Sequence, residues 1–561
     1  MLFRIKVRPE AFPNGLPMSA LSGFFASLGL KKEKQLITKV VIQKNQYRDS
    51  VFLMVINDRV RAVSGIEEIA VMMGTENNKD ILQGVGFGGP PIHSATANDM
   101  VICIRGVNEK AIQKALSQIE ELLTRKPRPE ETEDIFPTLE TALRKRPDTH
   151  FALISIPGSF AARETKKALH HGLNVLLFSD NVPIEEEVEI KKLARKLNRI
   201  VMGPDCGTAI INHIPLAFSN VVNPGPIGIV SASGTGLQEV TCLIDRLGSG
   251  ISQAIGTGGR DLTDRVGGLS MLKGIDILEE DQNTKVIVLI SKPPGRSTTK
   301  KILKRVSVCP KKVIITFLGT DPEPLSRIGG IPAKTLEEAA LLAVNSLERK
   351  PCHRRRFVPS EAYLKRVVRE ETLKMFPKQR FIRGLYSGGT LCDEAMVVLR
   401  DFIGEVYSNI PLKPEWRIKD LAKGKEHTCI DLGDDYFTKG RPHPMISAEV
   451  RNRYIVSEAD DPEVAVILLD VVLGYGSHAD MAGALNESIK RAKKKAKARG
   501  GYLAVVASVC GTLKDPQGFR SQAKKLKETG VVVMPSNAQA ARCAALIALK
   551  TAGGHEKRMK R

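Results

Sequence analysis

The stretch Ile227-Gly228-Ile229-Val230-Ser231-Ala232-Ser233-Gly234-Thr235-Gly236 decides the fold. An apolar run stops at small residues, and a helical pattern follows from Leu237 to Leu247. The design returns at Phe381-Ile382-Arg383-Gly384-Leu385-Tyr386-Ser387-Gly388-Gly389-Thr390, with a helical pattern from Leu391 to Phe402. A strand that passes through a glycine-serine turn into a helix aims free backbone N–H groups and the positive end of the helix dipole at whatever lies above, which favours an anion. Two such turns predict two lobes closing on one anionic ligand.

Working outward, residues 226–348 and 381–550 follow one plan. Each turn is followed by an apolar strand (286–290 and 464–469), then by a strand ending in Gly-Thr (Gly319-Thr320 and Gly511-Thr512). Each half closes with a glycine-led strand and an alanine-rich helix (336–344 and 538–549). Upstream, strand-like runs at 40–42, 69–73, 100–104, 151–156, 174–178 and 199–202 alternate with helical stretches, the pattern of a parallel α/β sheet. The predicted organisation is an N-terminal extension (1–36), an α/β N-terminal part (37–126), a linker (127–145) and a Rossmann-like part (146–222). Two flavodoxin-like lobes (223–348 and 381–550) follow, separated by a basic connector (349–380) containing Arg354-Arg355-Arg356, with a basic tail at 551–561.

At 561 residues the chain exceeds one core, and 42% hydrophobic with 26% charged residues is an ordinary globular composition. No apolar stretch reaches bilayer-spanning length, so no membrane partner is expected. Nine cysteines without CxxC spacing indicate a reduced, cytoplasmic setting and no metal site. The net charge is +22, and the densest basic run, 490–499, lies at a predicted helix end where lysines complement the dipole. Aromatic residues make up 5% of the chain, too few for stacking on bases, so no nucleic-acid partner is expected. Residues 1–36 are apolar and basic, and a targeting segment stays open beside a plain extension.

Ligands of open parallel sheets bind beyond the carboxyl ends of the strands. The anion candidates are therefore Ser231, Ser233, Gly234, Thr235 and Gly236 of the first turn and Ser387, Gly388, Gly389 and Thr390 of the second. Arg260, Lys292 and Arg441 are candidate clamps for a phosphate or carboxylate. Asp434, with Asp435 and His443, suits either acid-base work or a cation, without matching a defined metal motif. Cys206 has no histidine within six residues and reads as a buried structural cysteine.

These motifs occur in an order that resembles the FdrA family over about residues 38–550. They include Gly203-Pro204-Asp205-Cys206-Gly207-Thr208, Gly258-Gly259-Arg260-Asp261-Leu262, Ser291-Lys292-Pro293-Pro294, Asp431-Leu432-Gly433-Asp434-Asp435, Arg441-Pro442-His443-Pro444 and Leu469-Asp470-Val471-Val472. That family is related to the succinyl-CoA synthetases. The resemblance implies a CoA-binding-type domain followed by two ligase-like lobes, whose helix N-termini hold the phosphate of a phosphohistidine in the ligases. It implies CoA contacts at Ile156, Pro157, Gly158, Ser159 and Phe160.

The chain departs from the ligases at several points. No histidine occurs between His213 and His353, where the phosphorylated one would lie. Ser291-Lys292-Pro293-Pro294 replaces the ligases' Gly-Glu-Ile-Gly, and residues 349–380 are too few for an ATP-grasp domain. The segment 43–50, taken as the first turn of the CoA-binding part, has no glycine. No bound nucleotide is therefore expected in this chain alone, and CoA is left open. The resemblance implies the subunit of a carbamoyltransferase of ureide and purine breakdown, acting on oxamate and carbamoyl phosphate with partner subunits. An acyl-CoA synthetase working with a separate ATP-grasp subunit, and a non-catalytic scaffold, are the alternatives.

Overall fold

A computed structural model describes residues 36–124, 136–347 and 357–551, apart from positions 47, 49, 62, 328, 377, 439 and 440. The extension 1–35, residues 127–135 of the predicted linker, Arg354-Arg355-Arg356 and the tail 552–561 lie outside the described residues. Within the predicted linker and connector, Leu139–Lys145 and Glu361–Thr372 are helices. The chain forms two compact units, dividing between Asp134 and Ile135. Among the described residues no helix is long and apolar enough to cross a membrane.

The first unit corrects the expected parallel pattern. Its strands β1 (Ile37–Gln43), β2 (Ile66–Met73) and β3 (Met100–Gly106) form a sheet of order β1-β3-β2, and both pairings are antiparallel. Strands buried on both faces read as continuous apolar runs, and that signature is usually a parallel one. Here it arises because Leu53, Ile56, Ile112 and Ile119 cover one face while Leu82, Phe87 and Ile92, from the 76–94 segment, cover the other.

The second unit holds three parallel arrangements. Strands β4 (Phe151–Ile154), β5 (Asn174–Leu177) and β6 (Val201–Met202) make a parallel three-stranded sheet. The next two strands, β7 (Thr208–Ile211) and β8 (Ile214–Ala217), form a hairpin that joins the following lobe rather than this sheet, which moves the predicted boundary at 222. The cause is close backbone approach. A Cβ on Gly256 would lie 2.5 Å from both Cys206 Sγ and Thr208 O, so glycine there lets β7 pair beside the strand ending at 256.

Lobe 1 comprises β9 (Pro224–Ser231), β10 (Ile251–Gly256), β11 (Val286–Ser291), β12 (Lys312–Phe317) and β13 (Ile331–Pro332), ordered β13-β12-β11-β9-β10 before the hairpin. Lobe 2 comprises β14 (Phe381–Tyr386), β15 (Thr428–Asp431), β16 (Val464–Val472), β17 (Ala504–Cys510) and β18 (Val532–Met534), ordered β15-β14-β16-β17-β18. These orders are the same once the strands are numbered within each lobe, and they are the flavodoxin-like 2-1-3-4-5 arrangement. The repeat in the sequence is thus a repeat in topology.

The lobes meet through four helices. The opening helices are Gly234–Arg246 and Gly389–Ile403, and the closing helices are Leu336–Asn345 and Asn537–Thr551. Leu237, Val240, Ala340, Leu391, Ala395, Ala541 and Ala544 share one core between them, small residues allowing close packing. Each opening helix also caps the closing helix of the other lobe. Glu239 Oε1 accepts the Asn537 amide at 3.1 Å, and Glu394 Oε1 accepts the Leu336 amide at 2.7 Å. This exchange pins the two helix starts against each other.

Candidate functional site

The first turn is built as its sequence suggests. Ser231 Oγ donates to Ser233 O at 2.7 Å and accepts from Ser233 N at 3.1 Å, which shapes the corner. Ser233 is the N-cap of the opening helix, its Oγ accepting from Gly236 N at 2.9 Å. Ser233 Oγ also donates to Thr390 Oγ1 of the other lobe at 2.5 Å. A Cβ on Gly388 would fall 2.8 Å from Thr235 Cγ2, and one on Gly236 would fall 3.1 Å from Thr390 Cγ2. The two turns are therefore face to face, and their glycines are what lets them approach.

The second turn differs from the expectation. Ser387 N and Oγ donate to Asp470 at 2.8 and 2.9 Å, and Gly388 N donates to the same carboxylate at 2.9 Å. Asp470 is fully buried and pairs with buried Arg451 at 3.4 Å. Ser387 and Gly388 thus serve a resident carboxylate and are not free for an external anion. A buried charge needs such partners, and the turn supplies them. What the opposed helix starts still present is Gly234 and Thr235 on one side and Gly389 and Thr390 on the other.

Beside them stands a lysine-carboxylate group drawn from both lobes. Lys292, after β11, pairs with Asp393 of the lobe 2 opening helix at 2.9 Å. Its side chain is 44% exposed and that of Asp393 9%, so the ammonium reaches inward from solvent to a buried acid. A Cβ on Gly389 would lie 2.5 Å from Asp431 Oδ2 and 3.5 Å from Lys292 Nζ. One on Gly433 would lie 2.7 Å from His443 Nε2, 2.9 Å from Ser387 O and 3.1 Å from Asp431 Oδ1. Glycine at 389 and 433 thus lets the backbone pack closely against Asp431, Lys292 and His443.

The electrostatics follow from burial. Desolvation pushes the Asp431 carboxyl up to about 7, against the pull of Lys292 and the Gly433 amide, and Asp393 adds repulsion. Asp393 is likewise raised by desolvation, with Lys292 opposing. Burial works to lower the Lys292 ammonium, but Asp393 and Asp431 together carry it above its ordinary value, so it stays charged. Desolvation, with Arg451 nearby, lowers His443 to about 4 and keeps it neutral. His443 Nδ1 accepts from Met445 N at 3.2 Å, which assigns its proton to Nε2, the nitrogen packed beside Gly433.

Other predicted residues fall elsewhere. Arg260 pairs with Glu187 at 2.9 Å and donates to Val182 O at 2.8 Å, bracing lobe 1 against the β4–β6 domain rather than clamping a ligand at the helix starts. Asp434 Oδ1 accepts from Tyr436 N at 3.0 Å, a local turn, and Arg441 is exposed with no ion pair among the described residues. Ile156, Pro157, Gly158, Ser159 and Phe160 form the loop and start of helix Gly158–His170, with Ile156 37% and Phe160 53% exposed. Cys206 is buried, and desolvation pushes its thiol up to about 12. Asp393, Asp470 and Arg451 were not singled out as site residues from the sequence. An aspartate inside the otherwise apolar 464–472 strand is the signal that marks Asp470.

Two flavodoxin-like lobes of one topology, with their opening helix starts set face to face, make this an α/β protein of repeated parallel sheets. Residues 385–547 match the family described as CoA-ligase. The chain is 43% identical to YahF of Escherichia coli (strain K12) over 499 residues, covering 89% of this chain and 96% of YahF. It therefore belongs to the same family as YahF. It is also 26% identical to subunit alpha 2 of the ADP-forming succinate–CoA ligase of Archaeoglobus fulgidus, over 35% of this chain and 67% of that subunit. A solved structure, the apo dinucleotide-forming acetyl-coenzyme A synthetase 1 of Ca. Korarchaeum cryptofilum, aligns at 15% identity and a TM-score of 0.33, over 76% of this chain and 88% of that one.

Residues 36–136 match a family described as AllF, heavy metal-associated domain. The residues here do not fit a heavy metal. That stretch contains one cysteine, Cys103, and one histidine, His93. Cys103 is buried in the sheet with its thiol pushed up to about 12 by desolvation. The loop after β1 is tied instead to a carboxylate, Asp99 accepting from Asn45 N at 2.8 Å and Thr96 N at 2.7 Å. Among the described residues no group of three or more His, Cys, Asp or Glu could hold a metal.

Proposed function

We propose that the chain is the group-transfer subunit of a multi-subunit enzyme, holding a small acyl or carbamoyl phosphate between its two lobes. The supporting observation is the Lys292–Asp393 pair, which crosses from lobe 1 to lobe 2 beside the opposed helix starts. Lys292 and the starts at Gly234, Thr235, Gly389 and Thr390 would receive the phosphoryl oxygens. Transfer from an acyl phosphate needs oriented donors and positive charge more than a covalent nucleophile. The absence of any histidine between His213 and His353 fits a site that works without a lobe 1 phosphohistidine. The FdrA resemblance favours carbamoyl transfer between oxamate and phosphate as the reaction, and subunit names among the relatives favour assembly with partner chains.

One observation favours a second reading, acyl-CoA ligation with a separate nucleotide-binding subunit. Ile156 and Phe160 are exposed at the start of helix Gly158–His170, in the segment that resembles the ligases' CoA contacts. A thermal-shift comparison of CoA against carbamoyl phosphate plus oxamate separates the two readings. A ligand at a hundred times its dissociation constant adds about 2.7 kcal/mol, a readable shift. Stabilisation by the small anions, lost in Lys292→Met, is expected. Stabilisation by CoA alone would replace the transfer reading with the ligase one.

A further inference from the structure

We propose that the outer edge of β1 docks a second copy of this chain, whose own β1 adds antiparallel across a two-fold axis. The two N-terminal units then share one continuous sheet.

The three-stranded sheet of this unit has two outer edges, and they are finished differently. On β2, Asn57 clamps the outer side of Val71, its Oδ1 accepting from Val71 N at 2.7 Å and its Nδ2 donating to Val71 O at 2.9 Å. Asn78 Nδ2 donates to Met73 O, on the same side, at 2.7 Å. Side chains thus take the hydrogen bonds that a further strand would need, and the β2 edge is closed. In an antiparallel ladder, opposite residues either bond each other or both point away. Val71 points away from β3, so Ile102, opposite it, turns to β1 and bonds Val41. Thr38, Val40 and Ile42, one step out of phase with Val41, therefore aim their N–H and C=O groups out of the sheet. None of these groups has a hydrogen-bond partner among the described residues.

The β1 edge also lacks the usual guards. Ile37–Gln43 contains no proline or glycine, and five of its seven residues are β-branched, the types that favour pairing. Its single charge, Lys39, is paired with Glu109 at 3.1 Å, so the strand brings no unpaired charge to a second copy. The sequence that follows helix Glu109–Thr124, at 125–135, has two prolines and four acids, a composition that strands disfavour. A second copy fits because the edge is complementary to itself. Antiparallel pairing centred on Val40 sets Thr38 opposite the partner's Ile42, and every outward N–H meets an outward C=O. With the β2 edge closed, addition stops at two copies and does not run on into a fibre.

The test is sedimentation velocity of the full chain over a range of protein concentrations, with hydrogen exchange read residue by residue on the same samples. The expected result is the mass of two chains, with the amides of Thr38, Val40 and Ile42 exchanging at least about tenfold more slowly than unstructured amides. Thr38→Pro removes one outward donor at an exposed position and should give single chains in which Val40 and Ile42 exchange freely. The amides of Lys39 and Val41, bonded to β3, should stay protected in that variant and so report that the sheet is intact. If they do not, the wild-type dilution series decides, protection of the outward amides falling in step with the mass. Protection of those amides in a chain of single mass would mean that another segment of the same chain covers the edge, and overturns the proposal. Free exchange at the highest concentration overturns it too, leaving the edge to a different protein or to none. A two-chain mass that survives in a folded Thr38→Pro, or that leaves Val40 and Ile42 unprotected, puts the dimer contact elsewhere and also overturns it.

Discussion

Glu394→Gln probes the exchange of caps between the lobes. In the wild type, Glu394 Oε1 accepts from Leu336 N at 2.7 Å and Oε2 from Asn537 Nδ2 at 2.8 Å, with the side chain fully buried. Desolvation and then the neighbouring Glu239 push its carboxyl up to about 8, while Asn537 and Leu336 pull the other way. Glu337 adds repulsion, and Glu239 and Glu337 are themselves raised by desolvation, with Arg246 facing both and Arg542 facing Glu337. The native protein thus keeps a proton that the unfolded chain gives up near 4.5. Stability from this group is complete below that value and is lost as pH rises through about 8. At 1.36 kcal/mol per unit, the loss between pH 5.5 and 8.5 is of order 3 kcal/mol. Glutamine does not titrate, so urea unfolding should show the variant gaining on the wild type by about that amount across the interval. At the acid end the variant should be weaker by about 1–3 kcal/mol, because its amide nitrogen meets the Asn537 amide donor. A wild-type-to-variant difference that stays constant with pH would refute the reasoning.

Three further outcomes are expected. Tyr386→Phe should raise the melting temperature through a gain of about 1 kcal/mol, since the buried Tyr386 hydroxyl has no partner among the described residues; a lower melting temperature would show that the hydroxyl is satisfied. Asp470→Ala should cost about 3–5 kcal/mol in denaturant unfolding, because it strands buried Arg451 and unbonds the Ser387 turn; wild-type stability in this variant would mean that the resident carboxylate is dispensable. Calorimetric titration of the full chain with zinc or copper(I) should give no uptake assignable to residues 36–136, checked against Cys103→Ala, and a tight site abolished by that change would contradict the fit of the donor set.

Much of the site was legible because the chain repeats itself. The strand-turn-helix copies at 227–236 and 381–390 do start matched helices, and Ser233, Thr235, Gly236 and Thr390 do meet. Lys292 lies at the helix starts as its position after a strand suggests. Arg260 carries the same charge after another strand but spends it on Glu187, and nothing in local sequence distinguishes the two. The N-terminal unit misled for a related reason, since burial on both faces gives the same apolar run whether strands are parallel or antiparallel.

The sequence by itself determined the elements, their order and the glycine-serine turns, because periodicity and backbone freedom are local properties. Only the tertiary structure decided what each turn holds. The amides at 387 and 388 are claimed by Asp470, more than eighty residues further along, while Asp393 takes up a lysine from the other lobe. Charge and hydrogen bonding act through space, so the same Ser-Gly turn is open or filled according to which distant carboxylate the fold brings beneath it.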